Sequence, residues 1–93
     1  MDFVSVIIPV FNDTQRLRTC LTALDNQTYP QHLYEVIVVD NNSDEPIDAV
    51  VAEFEHVIYA FEAKQSSYAA RNTGIAMAKG KILAFTDSDC TPL

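Results

Sequence analysis

The segment Val4-Ser5-Val6-Ile7-Ile8-Pro9-Val10 shows almost no alternation between apolar and polar residues. A strand with one wet face alternates with period two. A near-continuous apolar run instead suits a strand covered on both faces, as in parallel sheets flanked by helices. Tyr34-Glu35-Val36-Ile37-Val38-Val39 repeats the pattern, is rich in β-branched residues and stops at Asp40. Between the two runs, Leu17, Leu21 and Leu24 recur at helical spacing with Cys20 beside them. Asn12 or Asp13 offers an N-cap, and Gln15 stands where a capping box anchored on Asn12 would place it. Tyr29-Pro30 closes the helix.

The alternation continues to the end of the chain. Pro46 opens a second helix whose inward stripe is Ile47, Val50, Val51 and Phe54. Val57-Ile58-Tyr59-Ala60-Phe61 is a third strand. Ser66 or Ser67 caps a third helix that runs to about Lys79, and Gly80 suits the left-handed position that follows a helix. Lys81 to Thr86 reads as a buried fourth strand. Strand–helix–strand crossovers of this length form right-handed parallel units. The expected fold is α/β: a doubly wound, mainly parallel four-stranded sheet with helices on both faces, built as one domain over residues 1–93.

Composition narrows the partners. A net charge of −7 argues against a nucleic-acid surface, which needs clustered Lys and Arg. The same charge repels a phosphorylated ligand unless a metal or a local Arg offsets it. No apolar run is long enough to span a bilayer, and Met1-Asp2-Phe3 enters the first strand without a basic stretch before it, unlike a signal peptide. These features lead us to expect a cytoplasmic protein, with Cys20 and Cys90 as free thiols. The sequence stops just after the fourth strand, where a further element normally covers the edge. That suggests a fragment of a longer protein, or a chain that associates with a second copy of itself.

The fourth strand runs into Asp87-Ser88-Asp89. Two carboxylates about 5 Å apart at an effective dielectric of about 20 repel by roughly 3 kcal/mol, which a hard divalent cation would relieve. In an open parallel sheet, ligands bind beyond the carboxyl ends of the strands, where strand order reverses. For the order 3-2-1-4, that point lies between strands one and four. Pro9, Phe11 and Asn12 leave strand one there, Asp87 leaves strand four, and Asp40 leaves strand two one position away. Arg71 falls in the first turns of the third helix, which starts at the same edge. Each residue has a plainer role open to it. Asp40 can bond its own loop amides, Phe11 can be core, Arg71 can pair with Glu62, and Asn72, His32 and His56 can be solvated. A dinucleotide fingerprint is absent, because the turn after strand one has no glycine. A phosphoacceptor signalling domain would carry an acidic pair where this chain has Phe11-Asn12-Asp13.

Taken in order, Val4 to Asn12, Glu35 to Ser43, Ala70-Arg71-Asn72-Thr73-Gly74 and Phe85-Thr86-Asp87-Ser88-Asp89 resemble the nucleotide-binding half of family-2 glycosyltransferases with the GT-A fold. The resemblance covers essentially the whole chain. It implies that Pro9 to Phe11 line the base pocket, with Phe11 where many members carry Tyr. Asp40 would accept a hydrogen bond from the base, favouring uracil, and Arg71 would lie near the nucleotide. Asp87 would reach the ribose and metal region, and Asp89 would ligate Mg²⁺ or Mn²⁺. It implies a nucleotide-sugar donor, UDP-linked, and inverting transfer to an acceptor hydroxyl. The acceptor base of that family matches no residue here, so no catalytic residue is assigned and the chain alone is expected to be inactive. The alternative is a non-catalytic nucleotide-binding or structural fragment stabilised by self-association.

Overall fold

The computed structural model describes residues 2–27 and 29–86. Its elements run β1 (Val4–Val10), α1 (Thr14–Asp25), a short 3₁₀ turn (Gln31–Leu33), β2 (Tyr34–Asp40), α2 (Ile47–Val51), β3 (Val57–Phe61), α3 (Ser67–Met77) and β4 (Ile82–Phe85). The four strands form one sheet in the order β3-β2-β1-β4, and every pairing is parallel. β1 pairs along its whole length with β2, from Val4↔Tyr34 to Val10↔Asp40. Its first four residues pair with β4, from Val4↔Ile82 to Ile7↔Phe85.

The two-sided burial expected of β1 and β2 is present. Ile8, Val10, Val36 and Val38 face α1 and α2, where Leu17, Cys20, Leu21, Ile47, Val50 and Val51 complete one core cluster. Ile7, Ile37 and Val39 face α3 and join Ala60 and Ala70 in a second. Burying each of these Ile, Val and Leu side chains contributes about 1.5–3 kcal/mol. Among the described residues no helix is long and apolar enough to cross a membrane.

Local chemistry sets the element ends. Asp13 caps α1, its carboxylate accepting the Arg16 amide at 3.3 Å. Ser66 caps α3, its hydroxyl accepting the Ala69 amide at 3.3 Å. α1 ends at Asp25, short of Tyr29-Pro30, and α2 is only five residues long, with Phe54 packing against the core from just beyond it.

Three expectations need correction. Gly80 does not have a positive φ, and α3 stops before it, at Met77. Glycine is required there by close approach: a Cβ would lie 2.7 Å from the Phe3 carbonyl oxygen and from the Ser5 nitrogen. β4 is not a buried strand among the described residues. It is one of the sheet's two outer strands, and Ile82, Leu83 and Phe85 are 47%, 38% and 45% exposed, because no described element packs outside it. Cys20, fully buried, is disulfide-bonded and not a free thiol. Nothing in the sequence around Cys20 signals that bond, and the expectation for Cys90 lies outside the described residues.

Candidate functional site

The carboxyl ends of β1 and β2 carry the polar residues. At this edge Pro9, Val10, Phe11, Asn41, Ser67 and Arg71 line a crevice of about 120 Å³. β1 supplies its floor, the end of β2 one wall, and the first turns of α3 the other. Phe11 is the first residue past β1 and is 50% exposed, so it is not core; its ring stands available for stacking. Gly74 lets α3 sit against the sheet, since a Cβ there would overlap Ile7 Cγ2. Arg71, one turn nearer the helix start, is thereby held over the crevice. Glu62, the partner that would have made Arg71 a simple surface ion pair, is engaged elsewhere. Its carboxylate accepts from the Thr73 hydroxyl at 2.6 Å and the Lys64 amide at 3.0 Å, which lowers its pKa. Arg71 makes no hydrogen bond or ion pair with a described residue.

Asp40 closes β2 and is only 5% exposed. Its Oδ1 accepts the Ser43 amide at 2.9 Å and its Oδ2 accepts the Tyr59 hydroxyl at 2.7 Å. The Tyr59 phenol is pushed well above its ordinary pKa, first by burial and then by its bond to Asp40. Asn12, in the left-handed region at φ 50°, occupies the rim without presenting a free carboxamide oxygen. That oxygen accepts the amides of Asp44 at 2.7 Å and Glu45 at 3.2 Å, and the Asn12 amide donates to Ser43 Oγ at 3.0 Å. Glu45 in turn accepts from the amide and hydroxyl of Thr14, which lowers its pKa. The β1–α1 and β2–α2 loops are thus latched together beneath Phe11. Asn41 extends the latch to the β3–α3 loop, its Nδ2 donating to the carbonyls of Lys64 at 2.6 Å and Glu62 at 3.2 Å.

The structure therefore brings Pro9, Phe11 and Arg71 to one crevice. Asp40 sits at the same sheet edge, and Asn12 serves as a loop fastener. Asp87 and Asp89 lie outside the described residues. Among the described residues no group of three His, Cys, Asp or Glu could hold a metal ion. The oxygen chemistry of Asp87 and Asp89 fits a hard cation. Sequence reasoning did not pick out Asn41, Ser43 or Tyr59. The Asp40-Asn41-Asn42-Ser43 run signals a turn, but only tertiary packing shows that Tyr59 reaches its first carboxylate. A larger hollow of about 450 Å³ runs along Gln15, Arg18, Thr19, Thr22, Ala23 and Asn26. It follows the solvent side of a single helix, away from the strand ends, and its Arg18 is already held by two bonds to Glu53 at 2.9 and 2.7 Å.

Comparison with known proteins gives the family and the fold. The family described as Glycosyl transferase family 2 matches residues 5–93. Glycosyltransferase AglE of Haloferax volcanii is 46% identical over 97 residues, covering 99% of this chain and 32% of AglE. Chondroitin synthase of Escherichia coli is 36% identical, covering 99% of this chain and 14% of the synthase. Among solved structures, mannosyltransferase PcManGT of Pyrobaculum calidifontis, in complex with GDP-Man and Mn²⁺, superposes with a TM-score of 0.88 at 29% identity, covering 95% of this chain and 28% of that one. Residues 1–349 of TarS from S. aureus, in complex with UDP-GlcNAc, superpose with a TM-score of 0.81 at 27% identity, covering 94% of this chain and 26% of that one. The chain thus spans about a third or less of each relative. With its all-parallel GT-A architecture, it belongs to glycosyl transferase family 2.

Proposed function

We propose that residues 1–93 are one nucleotide-sugar-binding domain, the donor-site part of a longer glycosyltransferase that takes a UDP-linked sugar and transfers it with inversion to an acceptor hydroxyl. The observation that supports this reading is the shared strand-end edge, where an exposed Phe11 and an Arg71 without a bond to any described residue line a small crevice and Asp40 closes the neighbouring strand. Phe11 stacks on the base against Pro9. Asp40 accepts the base imide N–H, and Arg71 places a guanidinium beside the nucleotide. Expulsion of a nucleoside diphosphate builds negative charge on the leaving group, and preorganised positive charge there lowers the barrier.

Asp89, assisted by Asp87, would hold Mg²⁺ or Mn²⁺. When bound, the cation neutralises diphosphate charge. An inverting transfer also needs a carboxylate that takes the proton of the acceptor hydroxyl. No residue of these 93 matches that base, so the chain alone is expected to turn over little or no donor.

Thermal unfolding with UDP and Mn²⁺ tests the reading. At about 100 times its Kd, the nucleotide should stabilise the chain by about 2.7 kcal/mol. Asp89→Ala should abolish the Mn²⁺-dependent part. Absence of any shift in the unsubstituted chain would refute donor binding.

A further inference from the structure

We propose that Tyr59 is a positioning residue that sets nucleobase specificity: its hydroxyl, opposite the Ser43 amide, locks the Asp40 carboxylate as a fixed acceptor that admits only bases presenting a ring N–H. This rests on the reading that Asp40 meets the base. Tyr59 lies on β3, opposite Val38 of β2, and its side chain runs along the sheet surface to Asp40 Oδ2 at 2.7 Å. Oδ1 is held independently, at 2.9 Å, by the Ser43 amide. Ser43 is itself fixed to the β1–α1 loop, because its Oγ accepts the Asn12 amide at 3.0 Å. One oxygen is thus tied to the loop beside Phe11 and the other to the outer strand, so the carboxylate plane has little freedom to turn.

A carboxylate has about four acceptor positions, and these two bonds use one on each oxygen. The remaining capacity is acceptor capacity alone. Asp40 is 5% exposed, so a base edge meeting it in this confined place must bring a donor or leave buried charge facing its own lone pairs. Uracil brings its N3–H and guanine its N1–H. Cytosine and adenine present an unprotonated ring nitrogen at the corresponding edge and are rejected. The Tyr59 hydroxyl can supply this restraint because a phenol stays protonated throughout the physiological range and its one proton is committed to Asp40 Oδ2 at 2.7 Å. Burial alone does not require a tyrosine at this site: the residue is 37% exposed on an edge strand, where an apolar side chain would serve.

The experiment is calorimetric titration of UDP and CDP, with Mn²⁺ present, into the unsubstituted chain and into Tyr59→Phe. The unsubstituted chain is expected to prefer UDP, and Tyr59→Phe to lose about tenfold in UDP affinity with little change for CDP, narrowing the preference. Tyr59→Met, which also removes the hydroxyl, should narrow it likewise if the phenylalanine variant folds poorly. An unsubstituted chain that prefers UDP, with the same preference in folded variants, overturns the role of Tyr59 while leaving donor binding intact. An unsubstituted chain that binds neither nucleotide, or both equally, removes the reading of Asp40 and this inference with it.

Discussion

Ser5 Oγ donates to Glu35 Oε2 at 2.6 Å and accepts the Gly80 amide at 2.8 Å, so one fully buried hydroxyl joins β1, β2 and the turn into β4. Glu35 Oε2 also accepts the Lys79 amide at 2.8 Å. Ser5→Ala leaves the Gly80 amide without its partner and should cost about 1–3 kcal/mol in urea unfolding. Gly80→Ala should cost more, because its Cβ meets backbone atoms of Phe3 and Ser5 that cannot rotate away.

Gly74→Ala opposes two effects. Alanine favours the helix by about 1 kcal/mol over glycine. Against that, its methyl overlaps Ile7, which is fully buried, and overpacking costs about 1–3 kcal/mol. Net destabilisation is expected. Combined with Ile7→Ala, the loss should be smaller than the sum of the two single losses, which a double-mutant cycle would read.

Asn12 combines a left-handed backbone with a side chain that accepts two amides. Asn12→Gly loses the bonds but keeps the backbone conformation at little cost. Asn12→Ala loses both and should be less stable than the glycine variant by about 1 kcal/mol. Equal stabilities would show that the backbone is not confined there.

The carboxyls of Glu45, Glu53 and Glu62 all lie below the ordinary glutamate value of 4.5, held down chiefly by hydrogen bonds from Thr14, Arg18 and Thr73 respectively. Depressed folded-state values mean that the unfolded chain binds protons more readily. The associated stability is present above the ordinary value and is lost as pH falls through the folded values. The urea midpoint should therefore decline below about pH 4.5, and Thr73→Val should shrink that decline.

Arg71→Ala should leave the urea midpoint within about 0.5 kcal/mol of the unsubstituted chain, since the residue is exposed and makes no bond with a described residue. It should nevertheless reduce the UDP-dependent thermal shift. A large loss of stability would assign Arg71 to the fold and not to the ligand.

Much of the architecture was legible because β1 and β2 are apolar on both faces. That pattern leaves few solutions beyond a parallel sheet with helices on each side, and the bounds of β1 and β3 follow from it. Exposure of β4 was not legible: an edge strand and a central strand carry the same apolar run until their neighbours are known. At the site, Phe11, Asp40 and Arg71 could be placed at one edge because strand ends and helix starts share it. The latch formed by Asn12, Ser43 and Asn41 could not, since it depends on how three loops of different elements meet. Ser5 and Glu35 did leave a mark. They are polar residues in runs that should be wholly apolar, and in the β1–β2 register they fall side by side.

The central place of β1 between β2 and β4 has a consequence for biosynthesis. β1 is made first, yet one of its flanks is not covered until a segment that follows Ser5 by 75 residues, starting at Gly80, has emerged. Until then Val4 to Ile7 expose open main-chain donors and acceptors on a strongly apolar ribbon, the kind of template that recruits other nascent chains. Slowing translation late in this region should lengthen that window and increase dependence on chaperones.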